Sequence, residues 1–339
     1  MHLSEYGIRV GSLPHGPLNN ICDVDGVTVG HCTVDTAEHN TGVTVIMPCS
    51  ENPFTHKLPA AAFVLNGFGK TAGLVQVEEL GRIETPIVLT NTLNVGKVHD
   101  AMVEYMIRQG REGGYPVRSV NPVVCECNDA SLNDIQHRCI GQAEVFAAIA
   151  AADVAFAQGD VGAGKGMTCH DLKGGIGSSS RLVRIGDETF TIGVLVLTNH
   201  GSLRDLTVFG KNIGMDIERQ IREDSPDEGS CIMIVATDLP VTSRQLKRII
   251  RRCSVGLARL GSFIGHGSGE VMVGFSTANR IPAEAGCIHL RCIHESQIDK
   301  AFRAVAEATE EAVLSSMLHA GTVTGYSGKV RRSLTEFFK

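Results

Sequence analysis

The chain has 339 residues, of which 43% are hydrophobic and 20% are charged, and its formal net charge at pH 7 is −6. This amount of apolar sequence is enough for one large core or for two smaller ones. The net negative charge, with no basic stripe to offset it, excludes a general nucleic-acid-binding protein. The apolar runs are shorter than the roughly 18 residues that a membrane span needs, so we predict no membrane-spanning helix.

The N-terminus and the cysteines predict a cytoplasmic protein. Residues 1–5 contain neither the basic start nor the apolar run of a secretory signal. The 11 cysteines are scattered, and many stand inside apolar runs, which is typical of reduced, buried thiols. Neither they nor the 13 histidines show the spacing of a metal site, so we expect neither a metal nor another cofactor.

In the first half of the chain, strands and helices alternate irregularly. Alternating apolar and polar residues with many β-branched side chains predict the strands, and apolar residues at helical spacing predict the helices. The predicted strands cover residues 27–34, 42–47, 60–65, 86–90 and 123–126, and the predicted helices cover 73–80, 97–109 and 141–158.

The second half begins with a glycine-rich stretch, 159–181, that predicts irregular structure. It also contains a linker, 203–228, whose end is charged and rich in breakers and which we expect to be mobile. Strands are predicted at 190–197, 231–236 and 270–275, and helices at 243–260 and 298–318. Hairpin-like strand pairs among helices favour a layered α+β or α/β sandwich over a regular βαβ series.

The segment Gly159–Gly166 is similar to the phosphate-binding loop G-x-x-x-x-G-K-[ST] but departs from it in two ways. Gly166 stands where the magnesium-binding hydroxyl belongs, and the segment follows a predicted helix rather than a strand. We therefore predict a glycine loop whose backbone packs close to a neighbouring element, not a nucleotide site.

The most informative dipeptide is Gly229-Ser230, where the charged linker meets the apolar run 231–236. A cut between the two residues would give Ser230 both a hydroxyl and an α-amine, and this amine, with an ordinary pKa of about 8, suits a general base at neutral pH. A nucleophile activated by its own N-terminal amine is a known form of covalent catalysis. Gly229 can take the strained backbone that attack by the hydroxyl requires. Taken alone, the dipeptide also fits an ordinary turn before a strand.

Two other places carry polar side chains that suit the same chemistry. Ser268 and Glu270 are two residues apart before a predicted strand, so they face the same side and could orient an amine and relay its proton. Asn199 ends another predicted strand and could donate its amide to an oxyanion. Each also has a structural interpretation, a surface carboxylate at a strand start in one case and a turn-forming Asn before His200-Gly201 in the other.

Short motifs spread over most of the chain form a set that is more specific than any one of them. They are Glu84-Thr85-Pro86-Ile87, Leu89-Thr90-Asn91-Thr92, Leu132-Asn133-Asp134, Val161-Gly162-Ala163-Gly164, Lys173-Gly174-Gly175-Ile176-Gly177, Ser180-Arg181, Gly229-Ser230, Gln245-Leu246-Lys247-Arg248, Gly265-His266-Gly267-Ser268-Gly269-Glu270-Val271 and Phe275-Ser276-Thr277-Ala278-Asn279. In content and order this set resembles the L-aminopeptidase/D-amidase-esterase family, which includes the β-peptidyl aminopeptidases.

The resemblance implies a single self-processing domain, residues 1–339, with an αββα four-layer sandwich of the N-terminal-nucleophile type. It implies cleavage between Gly229 and Ser230 into chains 1–229 and 230–339, with Ser230 as the nucleophile. Ser268 and Glu270 would support the Ser230 amine, and Asn199 would belong to the oxyanion hole. The family also implies a homo-oligomer, a tetramer, with no metal or cofactor.

One departure from the family concerns the segment 126–131. The family has a catalytic tyrosine after its Val-Val-x-Glu strand, whereas this chain reads Glu126-Cys127-Asn128-Asp129-Ala130-Ser131. Either Cys127 or Ser131 takes the place of the tyrosine. Glu126 is a candidate partner for a substrate ammonium group, or else a structural carboxylate.

The function predicted from these features is that of a serine aminopeptidase acting on the N-terminal residue of small peptides, amides or esters. One alternative is a related self-processing amidohydrolase or acyltransferase that acts on ω-amino acid oligomers or acylated amino acids. Another is a non-catalytic relative that keeps the fold as a binding module, which the absent tyrosine favours and the intact Gly229-Ser230 and Ser268-Gly269-Glu270 elements oppose.

Overall fold

The computed structural model describes residues 6–338 except residues 8, 222–228 and 285. The strands are β1 Thr28–Asp35, β2 Asn40–Met47, β3 His56–Gly67, β4 Arg82–Ile83, β5 Ile87–Asn91, β6 Val123–Cys127, β7 Thr168–Cys169, β8 Leu172–Lys173, β9 Ile176–Ile185, β10 Glu188–Asn199, β11 Thr207–Val208, β12 Lys211–Asn212, β13 Gly229–Thr237, β14 Ser268–Ser276, β15 Ile281–Pro282, β16 Val323–Thr324 and β17 Val330–Arg331. The helices are α1 Leu74–Leu80, α2 Val95–Gly113, α3 Gln142–Ala150, α4 Gly214–Ile221, α5 Ser243–Ile250, α6 Cys253–Arg259 and α7 Ile298–Leu318. Among the described residues, no helix combines the length and the apolarity that crossing a bilayer requires.

The strands form two main sheets that pack face to face. The smaller sheet has the order β1-β2-β5-β6, and the larger has the order β15-β3-β14-β13-β10-β9, with β4 paired to β3. One apolar cluster lies between the sheets, a second between the larger sheet and helices α5 to α7, and a third between the smaller sheet and helices α2 and α3. The order of layers is therefore helix, sheet, sheet, helix, which is the αββα sandwich that the family resemblance implies.

The position of strand β13 between two apolar cores explains why its sequence is continuously apolar. Its alternate residues Cys231, Met233 and Val235 belong to the helix-side core, and Ile232, Ile234 and Ala236 belong to the core between the sheets. A strand with both faces buried needs apolar side chains at every position. The strand predicted at 231–236 is thus confirmed, and it extends to Gly229 at its start.

Four predicted segments differ from the structure, and one of them, the helix predicted at 243–260, is divided into α5 and α6 by a turn at residues 251–252. The helix predicted at 141–158 is only α3, because Asp153 leaves it to exchange two backbone hydrogen bonds with Val29 of β1. The stretch 159–181, expected to be irregular, contains the β7–β8 hairpin and the start of β9. In the linker predicted at 203–228, a short hairpin and helix α4 occupy 207–221, and its end, 222–228, lies outside the described residues.

Strand β9 escaped prediction because its start is rich in serine and glycine. The serines are buried and bonded: Ser178 Oγ donates to Val194 O at 2.7 Å and accepts from Ile21 N at 2.8 Å. Gly177 is required there, since a Cβ would lie 1.9 Å from Ala312 O of α7. Close helix packing and buried hydroxyls therefore replace the usual apolar pattern of a strand.

The glycine loop 159–166 packs against its neighbours as expected. A Cβ at Gly164 would lie 2.5 Å from Ile176 N, so only glycine fits at this contact. The lysine of the loop, Lys165, is bound in ion pairs with Asp35 at 2.8 Å and Asp160 at 3.2 Å. The resemblance of this loop to a phosphate-binding loop is thus accounted for by packing.

Candidate active site

The ends of three adjacent strands bring the predicted site residues together. Ser230 of β13 pairs with Asn199 of the antiparallel strand β10 on one side and with Gly269 of the parallel strand β14 on the other. Gly229 pairs with Ser268 in the same register. Residues separated by 31 and 38 positions along the chain (199 to 230, and 230 to 268) therefore meet at one edge of the larger sheet.

A cavity of about 460 Å³ lies at this edge, a size that suits a small ligand. Its lining residues come from loops after both sheets: Phe68, Lys70, Thr92, Glu126, Asn128, Ser131, Thr168, Asp171, Asn199, His200, Gly201, Gly229, Ser230, Gly267, Lys329 and Arg331. The candidate nucleophile, the candidate oxyanion donor and the candidate ammonium partner thus share one cavity.

The Ser230 hydroxyl lies against the peptide bond that joins it to Gly229. Its Oγ donates a hydrogen bond of 2.6 Å to Gly229 O. Gly229 has φ +155, and a Cβ at this position would lie 1.9 Å from Asn199 O. Close contact with β10 and a backbone conformation that favours glycine therefore both restrict position 229 to this residue.

The side chain of Asn199 is held by two contacts. Its Oδ1 accepts from Thr168 N at 2.9 Å, and its Nδ2 donates to Asn128 O at 2.9 Å. An amide nitrogen carries two hydrogens, so one N–H remains for a ligand in the cavity. The arrangement fixes the direction of that donor before any substrate arrives, as an oxyanion hole requires.

Ser268 and Glu270 form a hydrogen-bonded pair, with Ser268 Oγ donating to Glu270 Oε1. Both are fully buried. Alternation along β14 places them on the helix-side face with Met272, whereas Gly269, where a Cβ would lie 3.0 Å from Ser230 Oγ, faces the nucleophile. The pair therefore lies beside the backbone of residues 229–231 and not beside the Ser230 hydroxyl.

Glu126 is a buried carboxylate at the end of β6. Its Oε1 accepts from Lys70 N at 2.8 Å, and its Oε2 accepts from the Thr92 hydroxyl. Each carboxylate oxygen can accept further hydrogen bonds, so these contacts orient Glu126 and leave acceptor capacity for a ligand. A negative charge at the cavity wall can bind a cation such as a substrate ammonium group.

The structure separates Cys127 from Ser131, the two candidates for the place of the family tyrosine. Cys127 points into the core between the sheets, where its Sγ lies 3.4 Å from Ser230 O and burial raises the pKa of its thiol well above the ordinary value. Ser131 lines the cavity. Of the two residues, only Ser131 therefore borders the space that a ligand would occupy.

Asp129 anchors the loop that carries Asn128 and Ser131, a role that was not predicted from the sequence. It is fully buried and accepts hydrogen bonds from Thr41 Oγ1 at 2.5 Å, Asn91 Nδ2 at 3.1 Å and Asn133 Nδ2 at 3.1 Å. Burial raises the pKa of Asp129 to about 6, against the opposing effect of these donors. The only signal in the sequence was its place in the polar turn after β6, which does not identify its partners.

Two basic residues near the C-terminus were also missed. Lys329 and Arg331, from the β16–β17 hairpin, line the side of the cavity that also contains Asp171. The Arg331 guanidinium lies 3.8 Å from Asp171. No motif in the sequence connects this hairpin to the site, because the contact depends on the tertiary fold.

The model of peptidase family S58 matches residues 19–331. The β-peptidyl aminopeptidase BapA of Sphingosinicella xenopeptidilytica is 38% identical over 336 residues, which cover 91% of this chain and 83% of that protein. The crystal structure of the PH0078 protein from Pyrococcus horikoshii OT3 has a TM-score of 0.94 at 43% identity and covers 100% of this chain and 98% of its own.

A second solved structure adds a fold and an activity class. The L-aminopeptidase D-Ala-esterase/amidase of Ochrobactrum anthropi, described as a prototype of the serine aminopeptidases and a new variant of the Ntn hydrolase fold, has a TM-score of 0.92 at 32% identity. The match covers 98% of this chain and 95% of that one. The chain belongs to peptidase family S58, which confirms the resemblance, the fold class and the aminopeptidase assignment drawn from its motifs.

Proposed function

We propose that this protein is a self-processing serine aminopeptidase whose nucleophile is Ser230. The main support is the hydrogen bond from Ser230 Oγ to Gly229 O, since φ and close packing restrict position 229 to glycine. Both residues line the cavity that Asn199 and Glu126 also line. The substrates are small peptides, amides or esters with a free N-terminal amine.

In the processing step, Ser230 Oγ attacks the carbonyl carbon of Gly229. The C–N bond of the peptide breaks, Gly229 becomes an ester on Oγ, and the Ser230 nitrogen takes the proton that the hydroxyl loses. Water then hydrolyses the ester, which leaves a carboxylate on Gly229 and a free α-amine on Ser230. The products are the chains 1–229 and 230–339.

In the catalytic step, the α-amine of Ser230 removes the proton from its own hydroxyl while Oγ attacks the substrate carbonyl. The tetrahedral oxyanion accepts a hydrogen bond from Asn199 Nδ2. The amine then gives its proton to the leaving group, and water releases the acyl group from Oγ. The free α-amine has an ordinary pKa of about 8, close enough to neutral pH for both transfers.

The Ser268–Glu270 pair is assigned to the amine and not to the hydroxyl. Its position beside the backbone of residues 229–231 is the support, since the α-amine of the processed chain is the former backbone nitrogen of Ser230. A carboxylate linked to the amine through a serine hydroxyl can orient the amine and stabilise the ammonium ion that forms when the amine takes the proton of Oγ. Asn66 Nδ2 donates to Gly265 O at 2.9 Å and so steadies the turn before this pair.

Glu126 is assigned to the ammonium group of the substrate, and Ser131 to the place of the family tyrosine. The support for Glu126 is a buried carboxylate held by Lys70 and Thr92 at the cavity wall. The support for Ser131 is its position in the cavity lining, which Cys127 lacks. A serine is shorter than a tyrosine, so we expect the acyl site to accept bulkier or longer backbones.

The alternative on ω-amino acid oligomers has one specific support. A relative that is 38% identical is named a β-peptidyl aminopeptidase, so β-linked residues belong among the first substrates to be tried. The hypothesis of a non-catalytic binding module lacks such support, because the Gly229–Ser230 and Ser268–Glu270 elements are both intact and lie on paired strands. We also propose a homotetramer in the cytoplasm, and the eleven unbridged cysteines agree with a reducing compartment.

The intact mass of the purified protein tests the processing claim. Wild type is expected as two polypeptides, 1–229 and 230–339, and Ser230→Ala as one. Cys231→Ala is the matched control, because the change is next along the chain but on the helix-side face, and it should be cut. A single full-length species in wild type after long incubation, or a cut Ser230→Ala chain, would reject the proposal.

A further inference from the structure

The wall of the cavity behind Asn199 contains a cluster of potential metal ligands that the proposed reaction does not use. Cys169 Sγ and a ring nitrogen of each of His170 and His200 lie within 4.8 Å of one another, and all three residues are buried. Cys169 ends β7, His170 follows it in the hairpin turn, and His200 follows β10. His200 lines the cavity, so the cluster lies directly behind the cavity wall.

The hydrogen bond made by His170 defines its tautomer. Its Nδ1 lies 2.9 Å from Ser202 O, and since a carbonyl oxygen only accepts, Nδ1 carries the proton. In the neutral ring the lone pair is then on Nε2. Metal-binding histidines typically donate their other ring N–H to a carbonyl or carboxylate in this way, which fixes the ring and its coordinating nitrogen.

His200 supplies an independent observation. Both of its ring nitrogens are buried, and neither has a hydrogen-bond partner among the described residues. Buried polar groups in proteins are nearly always bonded, because leaving them unsatisfied costs free energy. A cation bound to one of these nitrogens would satisfy it.

The donor set selects the kind of metal. One thiolate and two imidazoles suit Zn²⁺ or Cu⁺ and do not suit Mg²⁺ or Ca²⁺, which prefer oxygen ligands. We propose that Cys169, His170 and His200 form a zinc site in the wall of the active-site cavity. Binding converts the Cys169 thiol to a thiolate, forms one Zn–S and two Zn–N bonds, and releases one proton to water.

Zinc at this site is expected to inhibit the proposed hydrolysis, and this part of the inference rests on the proposed function. Asn199 Oδ1 accepts from Thr168 N at 2.9 Å, while His200 follows Asn199 and Cys169 follows Thr168. Bonds of about 2.0–2.3 Å require neighbouring ligand atoms roughly 3.3–3.7 Å apart. Any shift of His200 or Cys169 into this geometry is passed to Asn199 or Thr168, the next residue along the chain, and so disturbs the bond that orients the oxyanion donor.

The binding test uses Co²⁺ as a spectroscopic probe for zinc. Glu38, His39 and His137 form a second, exposed group that could bind metal, so all proteins carry His137→Ala. We expect one Co²⁺ per chain with a thiolate charge-transfer band, displaced by Zn²⁺. Cys169→Ser should abolish the band, and His200→Gln should weaken binding at least about tenfold. Cys253→Ser, at a buried cysteine of α6, is the matched control and should bind as its parent does.

The activity test uses an aminoacyl p-nitroanilide with saturating Zn²⁺. The parent should lose about a hundredfold in kcat/KM, by analogy with the cost of a displacement of about 1 Å in a catalytic group, and regain it with a chelator. Cys169→Ser should be active and resist zinc. A parent that lacks the thiolate band, or that binds zinc without losing activity, would overturn the inference. A parent that binds Co²⁺ through Cys169 but is inactive without metal would instead overturn the proposed function.

Discussion

The carbonyl oxygen of Asn199 occupies the space that a side chain at Gly229 would need, only 1.9 Å from the position of its Cβ. The residue that we propose as the oxyanion donor thus also restricts the residue on the acyl side of the bond that we propose is cut. Because β10 and β13 are paired at this point, neither can move away without loss of the register between Asn199 and Ser230.

Gly229→Ala should therefore block processing. The methyl group meets the backbone of β10, and φ +155 is strained for alanine, so the peptide bond must leave its position beside Ser230 Oγ. We expect cleavage to be at least about a hundredfold slower. The measurement is denaturing electrophoresis of freshly purified protein, sampled over time. Gly96→Ala, where a Cβ would meet nothing within 4 Å, is the control. Cleavage of Gly229→Ala at the wild-type rate would contradict this steric argument.

Glu270→Gln should lower turnover with little change in the fold. The substitution keeps the size of the side chain and its contact with Ser268 but removes the charge beside the Ser230 nitrogen. Assistance to proton transfer is typically worth 10²–10⁴-fold, so we expect kcat to fall by about tenfold or more. The measurement is kcat on an aminoacyl p-nitroanilide together with the thermal midpoint.

The outcome that removes Glu270 from the mechanism is wild-type turnover in Glu270→Gln. The control is Glu78→Gln, which changes an exposed carboxylate that pairs with Lys247 and does not line the cavity. If both variants lost activity to the same extent, the loss would reflect charge in general. If only Glu270→Gln lost both activity and thermal stability, its role would be structural.

Much of this site could be predicted from local sequence. The spacing of Ser268 and Glu270 predicted that they share a face, and their hydrogen bond confirms it. Local spacing could not show that this face is opposite to the Ser230 hydroxyl, because that depends on the register between β13 and β14. The αββα layering was likewise available only from the resemblance, since alternation along a strand does not identify which layer covers each face.

The contributions that escaped prediction are long-range. Asp129 looked like a turn residue, yet its role depends on Thr41, Asn91 and Asn133, which the fold brings to it. Arg331 reaches the cavity only because the C-terminal hairpin packs beside Asp171. Such contacts leave no periodic pattern in the sequence, so neither spacing nor propensity could identify them.

Asp129 should make stability depend on pH in a direction unusual for an aspartate. Its pKa is raised to about 6 in the folded protein, whereas in the unfolded chain it is about 3.9. Between these values the folded state holds more protons, so the contribution of Asp129 is fully present below about pH 4 and is lost as pH rises through about 6. The loss amounts to about 3 kcal/mol by linkage.

The measurement compares wild type with Asp129→Asn, which has a similar shape and does not titrate. The thermal midpoint of wild type minus that of the variant should fall by several degrees between pH 4 and pH 7, because only wild type loses a stabilising proton. A difference that stays constant over this range, or that grows as pH rises, would contradict the raised pKa of Asp129.

Activity is expected to need no divalent metal, because the proposed mechanism uses the α-amine of Ser230 as its base. Hydrolysis of aminoacyl p-nitroanilides should therefore survive prolonged dialysis against a strong chelator. If the proposed Cys169 site carries zinc after purification, dialysis should raise the rate. Loss of activity on chelation, with recovery when zinc is added, would replace this mechanism with that of a metallopeptidase.

Substrates should need a free N-terminal amine, because Glu126 offers a buried carboxylate to it. Acetylation removes the ammonium charge and leaves the carboxylate without that partner, at a cost of a few kcal/mol, roughly 2–3. By the rule of tenfold per 1.36 kcal/mol, kcat/KM for an N-acetyl aminoacyl amide should be at least about a hundredfold lower than for the free amine.

Glu126→Gln should reduce this preference by lowering kcat/KM for the free-amine substrate, while kcat/KM for the acetylated substrate changes little. Equal kcat/KM values in wild type would reject the aminopeptidase mechanism in favour of an acyl-amidase, and a preference unchanged in Glu126→Gln would assign the ammonium group to another carboxylate.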